Sequence, residues 1–151
     1  RTGYYATDPR DWRKGGHDND LSTTLKATSL PATEVLFMAR AMPPAHNVEL
    51  QVEFLVDAST ITFGSEPDNR EDCNLNFEVQ AFSPEGKLVK AEVQTAEAPL
   101  SPQTAARVRQ QGLPMKVPIK LAAGRYLLHL GVRDNRTGWF GTAELPVEIP
   151  Q

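Results

Sequence analysis

The sequence predicts an all-β, antiparallel, immunoglobulin-like β-sandwich with one short helix. Three observations predict it. Apolar residues recur with a period of two from Val35 onward. Clusters of Gly, Pro, Asp and Asn separate the alternating runs. A single segment carries a full set of helix start and stop signals. The 151 residues suit one domain, and the 40% hydrophobic and 23% charged fractions are those of a soluble globular chain.

The elements follow in order. Residues 1–20 are polar and carry Gly15-Gly16 and His17-Asp18-Asn19-Asp20, so they read as a linker or lead-in from a preceding domain. Residues 21–151 read as the sandwich domain. Within the lead-in, Gly3-Tyr4-Tyr5 reads as the end of a strand. A short helix is expected over Leu21–Ala27, capped by Asp18 or Asp20. In the first clear strand, Val48, Leu50, Val52, Phe54 and Val56 share one face, and Glu49, Gln51 and Glu53 share the other. Leu75, Phe77, Val79 and Ala81 repeat the pattern. The turn Ser83-Pro84-Glu85-Gly86 then leads into Val89, Ala91 and Val93, which predicts a β-hairpin with a loop of four or five residues.

The helix is expected near residues 102–111. Ser101 is an N-cap, Pro102 opens the first turn, and Gly112 follows the end. Its weakly apolar interior predicts a cover for a sheet end. Met115, Val117, Ile119 and Leu121 alternate with Lys116, Pro118 and Lys120, and Pro118 places that strand at an edge or a bulge. Tyr126, Leu128, Leu130 and Val132 form the next inward face, with His129 on the polar parity and expected in solvent. Asp134 to Gly138 turns the chain, and Gly141, Ala143, Leu145, Val147 and Ile149 face inward last. About seven strands are expected, with Val52, Phe54, Phe77, Val79, Leu128, Leu130 and Val132 in the core.

Charge and composition narrow the function classes. A net charge of −3 gives no basic footprint for nucleic acid and no attraction to an anionic membrane surface. No apolar run is long enough to span a bilayer. The single cysteine, Cys73, has no partner for an internal disulfide. The start at Arg1, with no Met and no signal peptide, predicts a segment of a longer protein or a processed product, with any export signal upstream.

Several groups carry chemistry by type but not by pattern. Asp57-Ala58-Ser59-Thr60-Ile61 begins like a metal-ion-dependent adhesion site, yet Ile61 stands where a third oxygen ligand is needed. The turn reading is preferred for Asp57 and Ser59. Glu66, Asp68, Glu71 and Asp72 crowd one loop without a known calcium-loop spacing, and the sequence leaves open whether the loop of residues 66–72 binds a cation. Cys73 with His17, His46 and His129 forms no recognisable nucleophile context. No catalytic residue, cofactor or metal ligand is expected. Gly124-Arg125-Tyr126 resembles a tyrosine corner, in which the hydroxyl bonds back to the backbone a few residues upstream. Tyr4, Tyr5 and Trp12 lie in a polar stretch whose periodicity cannot bury them, which makes them candidate interaction residues.

Leu55-Val56-Asp57 through Ile61-Thr62-Phe63, an acidic loop, Phe82 with Pro84-Glu85-Gly86-Lys87, and a helix follow one another. Gly124-Arg125-Tyr126, Gly131-Val132-Arg133-Asp134, Thr137-Gly138 and Glu144-Leu145-Pro146-Val147-Glu148 complete the series. Over residues 19–150 it resembles the C-terminal region of bacterial von Willebrand factor A-related proteins, a type common in acidobacteria. Arg1–Ala6 resembles the segment that leaves their A domain. The resemblance implies an accessory domain of an exported, extracytoplasmic protein, with an upstream A domain in the same chain as its partner. The expected function is therefore a non-catalytic accessory interaction or spacer domain. The alternative is a β-sandwich that binds carbohydrate or another ligand. That alternative needs exposed aromatics on one face, from Tyr4, Tyr5, Trp12, Phe82, Trp139 and Phe140.

Overall fold

A computed structural model describes residues 32–42, 49–65 and 70–150. In chain order the elements are β1 (Phe37–Met42), β2 (Glu49–Val56), a 3-10 turn (Ala58–Thr60), β3 (Gly64–Ser65) and β4 (Glu71–Phe82). Then come β5 (Leu88–Leu100), α1 (Pro102–Gln111), β6 (Leu113–Lys120), β7 (Gly124–Asp134) and β8 (Phe140–Ile149). They form two antiparallel sheets. One has the order β1-β2-β6. The other runs β5-β4-β7-β8, with the two-residue β3 beside the start of β4. Glu71 and Asp72 pair with β5 on one side, so β3 must lie on the side that β7 takes up from Leu75.

The period-two pattern explains the sandwich. Each strand turns alternate residues inward, and the two inner faces bury each other. Val52, Phe54, Phe77, Val79, Leu128, Leu130 and Val132, the inward residues expected from sequence, are each 2% exposed or less. Phe54 and Phe77 meet edge to face across the two sheets, with ring centroids 5.2 Å apart. β6 lies at an edge of its sheet, where Pro114 and Pro118 leave no central ladder bond unmade. The hairpin turn closes with Ser83 N–H donating to the Lys87 carbonyl and Gly86 N–H to the Ser83 carbonyl.

The helix forms where its signals lie. Ser101 Oγ accepts from Thr104 N–H at 3.2 Å, and Gly112 N–H donates to the Val108 carbonyl at 2.8 Å. Gly112 sits at φ +92°, a left-handed value that a side chain disfavours. Its Cβ would also stand 2.9 Å from Leu55 Cδ1. The helix buries Ala105 and Val108 and packs on the 3-10 turn and β5.

Two expectations are corrected. Val89, Ala91 and Val93 read as the inward face of β5, but the register opposes Glu92 to Val79 and Gln94 to Phe77, so Glu92, Gln94 and Ala96 take the inward parity. Val89 and Val93 are about half exposed. The strand is an edge, and its inner side overhangs the rim of the core, where polar residues keep contact with water. β5 also runs on to Leu100 through Ala-Glu-Ala-Pro, because the ladder to β4 imposes extension that local propensity does not. His129 was expected in solvent. It is buried, with its ring centroid 4.5 Å from that of Phe82. Polar parity put it on the outer face, but that face is shielded at its centre.

Candidate functional site

The outer face of the three-stranded sheet carries open apolar surface. Cross-strand register aligns Met38, Leu55 and Pro114 in one row of that face. The neighbouring row is Arg40, Glu53 and Lys116. Met38 is 69% exposed and Leu36 47%. Together the rows line a groove of about 570 Å³. A second groove, of about 400 Å³, runs past Leu36 and Met38 to the C-terminal end of α1 at Gln111 and Gly112. Leu55 holds its place there because Gly112 leaves room for its side chain.

The charged row is organised around one carboxylate. Glu53 Oε2 accepts from Arg40 Nε at 2.6 Å, and Oε1 lies 3.6 Å from Lys116 Nζ. The hydrogen bond from Arg40 lowers the Glu53 pKa most, and both cations add a Coulombic contribution. Lys120 and Glu49 stand 3.6 Å apart four residues along each strand. The side chains of Arg40 and Lys116 are each 71% exposed, while that of Glu53 is 22% exposed. The cations therefore meet solvent and the anion lies beneath them. An apolar row rimmed by exposed cations can take an apolar side chain in the groove and a carboxylate at its edge.

The sequence matches no protein-family model and no curated protein. The site is read from its own geometry.

The other candidate residues fall as follows. Tyr4, Tyr5 and Trp12 lie outside the described residues, as do His17, His46, Glu66, Asp68 and the expected helix over 21–27. The Tyr126 hydroxyl donates to the Ala122 carbonyl at 2.8 Å, four residues upstream, at the start of β7. Asp57 Oδ1 accepts from both Ser59 N–H at 3.0 Å and Ser59 Oγ at 2.7 Å. Those bonds depress its pKa and make it the N-cap of the 3-10 turn. Glu71 is held by both guanidinium nitrogens of Arg109, whose plane also lies 4.8 Å over the Phe63 ring. Asp72 pairs with Arg136. Among the described residues no group of three His, Cys, Asp or Glu side chains converges as a metal site needs.

Cys73 is buried, and burial, followed by the nearby Asp134 and Asp72 charges, pushes its thiol pKa up. Among the described residues Phe82, Trp139 and Phe140 do not form an exposed cluster. Phe140 is buried, Phe82 is half-buried against His129, and Trp139 is the exposed ring among the described residues. The groove residues Leu36, Met38, Leu55 and Pro114 escaped the sequence reading. The signal was present at Leu55, an apolar residue on the polar parity of Glu49, Gln51 and Glu53.

Proposed function

We propose that this domain is a non-catalytic accessory interaction module that docks through the outer face of its three-stranded sheet. The observation that supports this most is the apolar row of exposed Met38, half-buried Leu55 and exposed Pro114, set beside exposed Arg40 and Lys116. Such rows on an otherwise charged surface mark contacts with another protein surface. The partner we infer is an upstream domain of the same polypeptide, as in the von Willebrand A-related proteins that the sequence resembles. A contact between domains of one chain is moderately polar, and a half-apolar, half-charged face suits it. An extracytoplasmic setting belongs to the same reading and rests on the same resemblance.

The test uses the polypeptide with its natural upstream sequence. Met38→Asp puts a charge into the groove while leaving the core untouched. The expected result is a larger radius of gyration by small-angle scattering, with the melting temperature of this domain unchanged. An unchanged two-domain shape in both Met38→Asp and Leu55→Asp rules the docking face out.

A further inference from the structure

β5 is an edge strand whose first half is open. It has 13 residues, and among the described strands it pairs with β4 alone. Every residue from Pro84 to Ala91 is exposed, and Leu88, Val89 and Val93 are 36%, 50% and 51% exposed. Other edges of the two sheets are blunted: β6 by Pro114 and Pro118, β8 by Pro146, and β1 by its length of six residues. β5 holds no proline before Pro99. An open edge of this kind can take another strand through its main-chain hydrogen bonds.

Two charges decide which strand fits. Lys90 opposes Ala81 and Glu92 opposes Val79, so both project to the core side of the sheet, at its rim. An inward-pointing charge on an edge ordinarily blocks pairing, because a generic strand offers it no counter-charge. Here the two charges differ in sign and stand two residues apart on one face. Antiparallel pairing of β5 with itself about Ala91 sets Lys90 opposite the second copy's Glu92, and Glu92 opposite the second copy's Lys90. Directly opposed residues have Cβ atoms about 5 Å apart, close enough for an ion pair. A register two residues away sets either Glu92 opposite Glu92 or Lys90 opposite Lys90, which is unfavourable. A one-residue slip turns inward residues against outward ones. The charges thus admit this one register and discriminate against other strands.

We propose that β5 pairs with β5 of a second copy of this chain, as a twofold dimer with Ala91 on the axis. On the outer face Val93, which opposes Glu78, then meets the second copy's Leu88–Val89 corner. That corner ends the pairing, since the register with β4 slips between Ala81 and Phe82 and leaves Val89 as an extra residue. Within one copy, Lys90 Nζ and Glu92 Oε1 are 3.9 Å apart, and their side chains are 43% and 36% exposed. So loose a pair holds its partners weakly, and exchanging them across the dimer costs little. One short strand pair is a small interface, so the dimer is concentration-dependent and not obligate. The pairing uses an edge of the five-stranded sheet and does not depend on the docking reading, which concerns the outer face of the other sheet.

The test is sedimentation equilibrium of the full chain at low salt, with charge reversals. Glu92→Lys places Lys opposite Lys at two points of the dimer, and Lys90→Glu places Glu opposite Glu. The wild-type chain is expected to dimerise as its concentration rises. Each single reversal should weaken the dimer about tenfold or more, because the twofold axis counts it twice. The double variant Lys90→Glu/Glu92→Lys should regain it, and an equimolar mixture of the two single variants should form a heterodimer. Circular dichroism checks that each variant is folded; if one single reversal fails to fold, the other and the double variant carry the test. A wild-type chain that stays monomeric up to about 1 mM overturns the proposal. So does a dimer that neither reversal weakens, or a double variant that associates no better than the single ones.

Discussion

The carbonyl oxygen of Val35 occupies the space where a side chain on Gly141 would begin. A Cβ at Gly141 would lie 1.8 Å from that oxygen. The contact marks the point where the chain, bridged to β8 at Thr33 and Gly141, leaves that sheet and enters β1 of the other. Val35 itself is 1% exposed. Gly141→Ala therefore sets backbone against backbone, with no flexible side chain to yield. It is expected to lower stability by about 3 kcal/mol or more. Urea denaturation read by tryptophan fluorescence checks this, and a midpoint within error of wild type would contradict it.

Asp134 ties three separate stretches together. It is fully buried, and its carboxylate accepts from Thr62 N–H at 2.7 Å and from Arg136 N–H at 2.9 Å. Its own backbone N–H and carbonyl close the turn with Trp139 and Gly138. Asp134→Ala strands two backbone donors, at least one of them 72 residues away in sequence. The expected loss is about 2–4 kcal/mol. The amides of Thr62 and Arg136 should also exchange with deuterium faster than in wild type, a local readout that general destabilisation does not single out.

These two residues show what the sequence made legible. Strand positions and inward faces could be read because alternation is a local signal that survives in one chain. The helix could be read because Ser101, Pro102 and Gly112 are local signals too. Asp134 read only as a turn residue, since its partner at Thr62 is brought to it by the fold. Gly141 read only as an inward strand position, because the oxygen that requires a glycine belongs to a distant segment. The parity of β5 failed for a related reason: an apolar residue on an edge strand has no fixed side until the register with β4 is known. The docking row was half legible. Leu55 breaks the polar parity of β2, but only pairing puts Met38 and Pro114 beside it.

Tyr126 contributes through its hydroxyl. The bond to the Ala122 carbonyl pins the turn before β7 to the strand that follows it. Tyr126→Phe keeps the ring, which packs against the core, and removes that bond alone. The expected cost is about 1 kcal/mol. The urea midpoint should fall while the slope of the transition stays the same. No change would show that water replaces the bond without loss.

Cys73 should behave as a core residue. The residue is 3% exposed and its thiol pKa is raised by burial, so both access and thiolate formation are suppressed. A thiol-specific chromogenic reagent at pH 8 is expected to label it only as fast as the protein opens. Addition of urea beyond the unfolding midpoint should restore the full reaction. Rapid labelling of the native protein would show that β4 opens locally at this end.

The Glu53 carboxylate links pH to the docking face. Its pKa is lowered in the folded chain, chiefly by the Arg40 hydrogen bond, with Lys116 assisting. A carboxyl of this kind binds fewer protons when folded than when unfolded over the window between its two pKa values. Its contribution to stability is therefore complete above the unfolded pKa and is lost as pH falls through the folded one. The pair is exposed, and solvent screens it, so the effect on global stability should be small. The titration itself is the sharper measurement. Carboxyl carbon chemical shifts for Glu53 should show a midpoint below the ordinary glutamate range. Arg40→Ala should raise the Glu53 midpoint, and Lys116→Ala should raise it by less, because Lys116 stands 3.6 Å away and Arg40 donates at 2.6 Å. Equal shifts in the two variants would mean that general field, and not the Arg40 hydrogen bond, sets the charge of this row. Added salt should shrink the shift in wild type, since exposed charges are screened within about 10 Å at 0.1 M ionic strength.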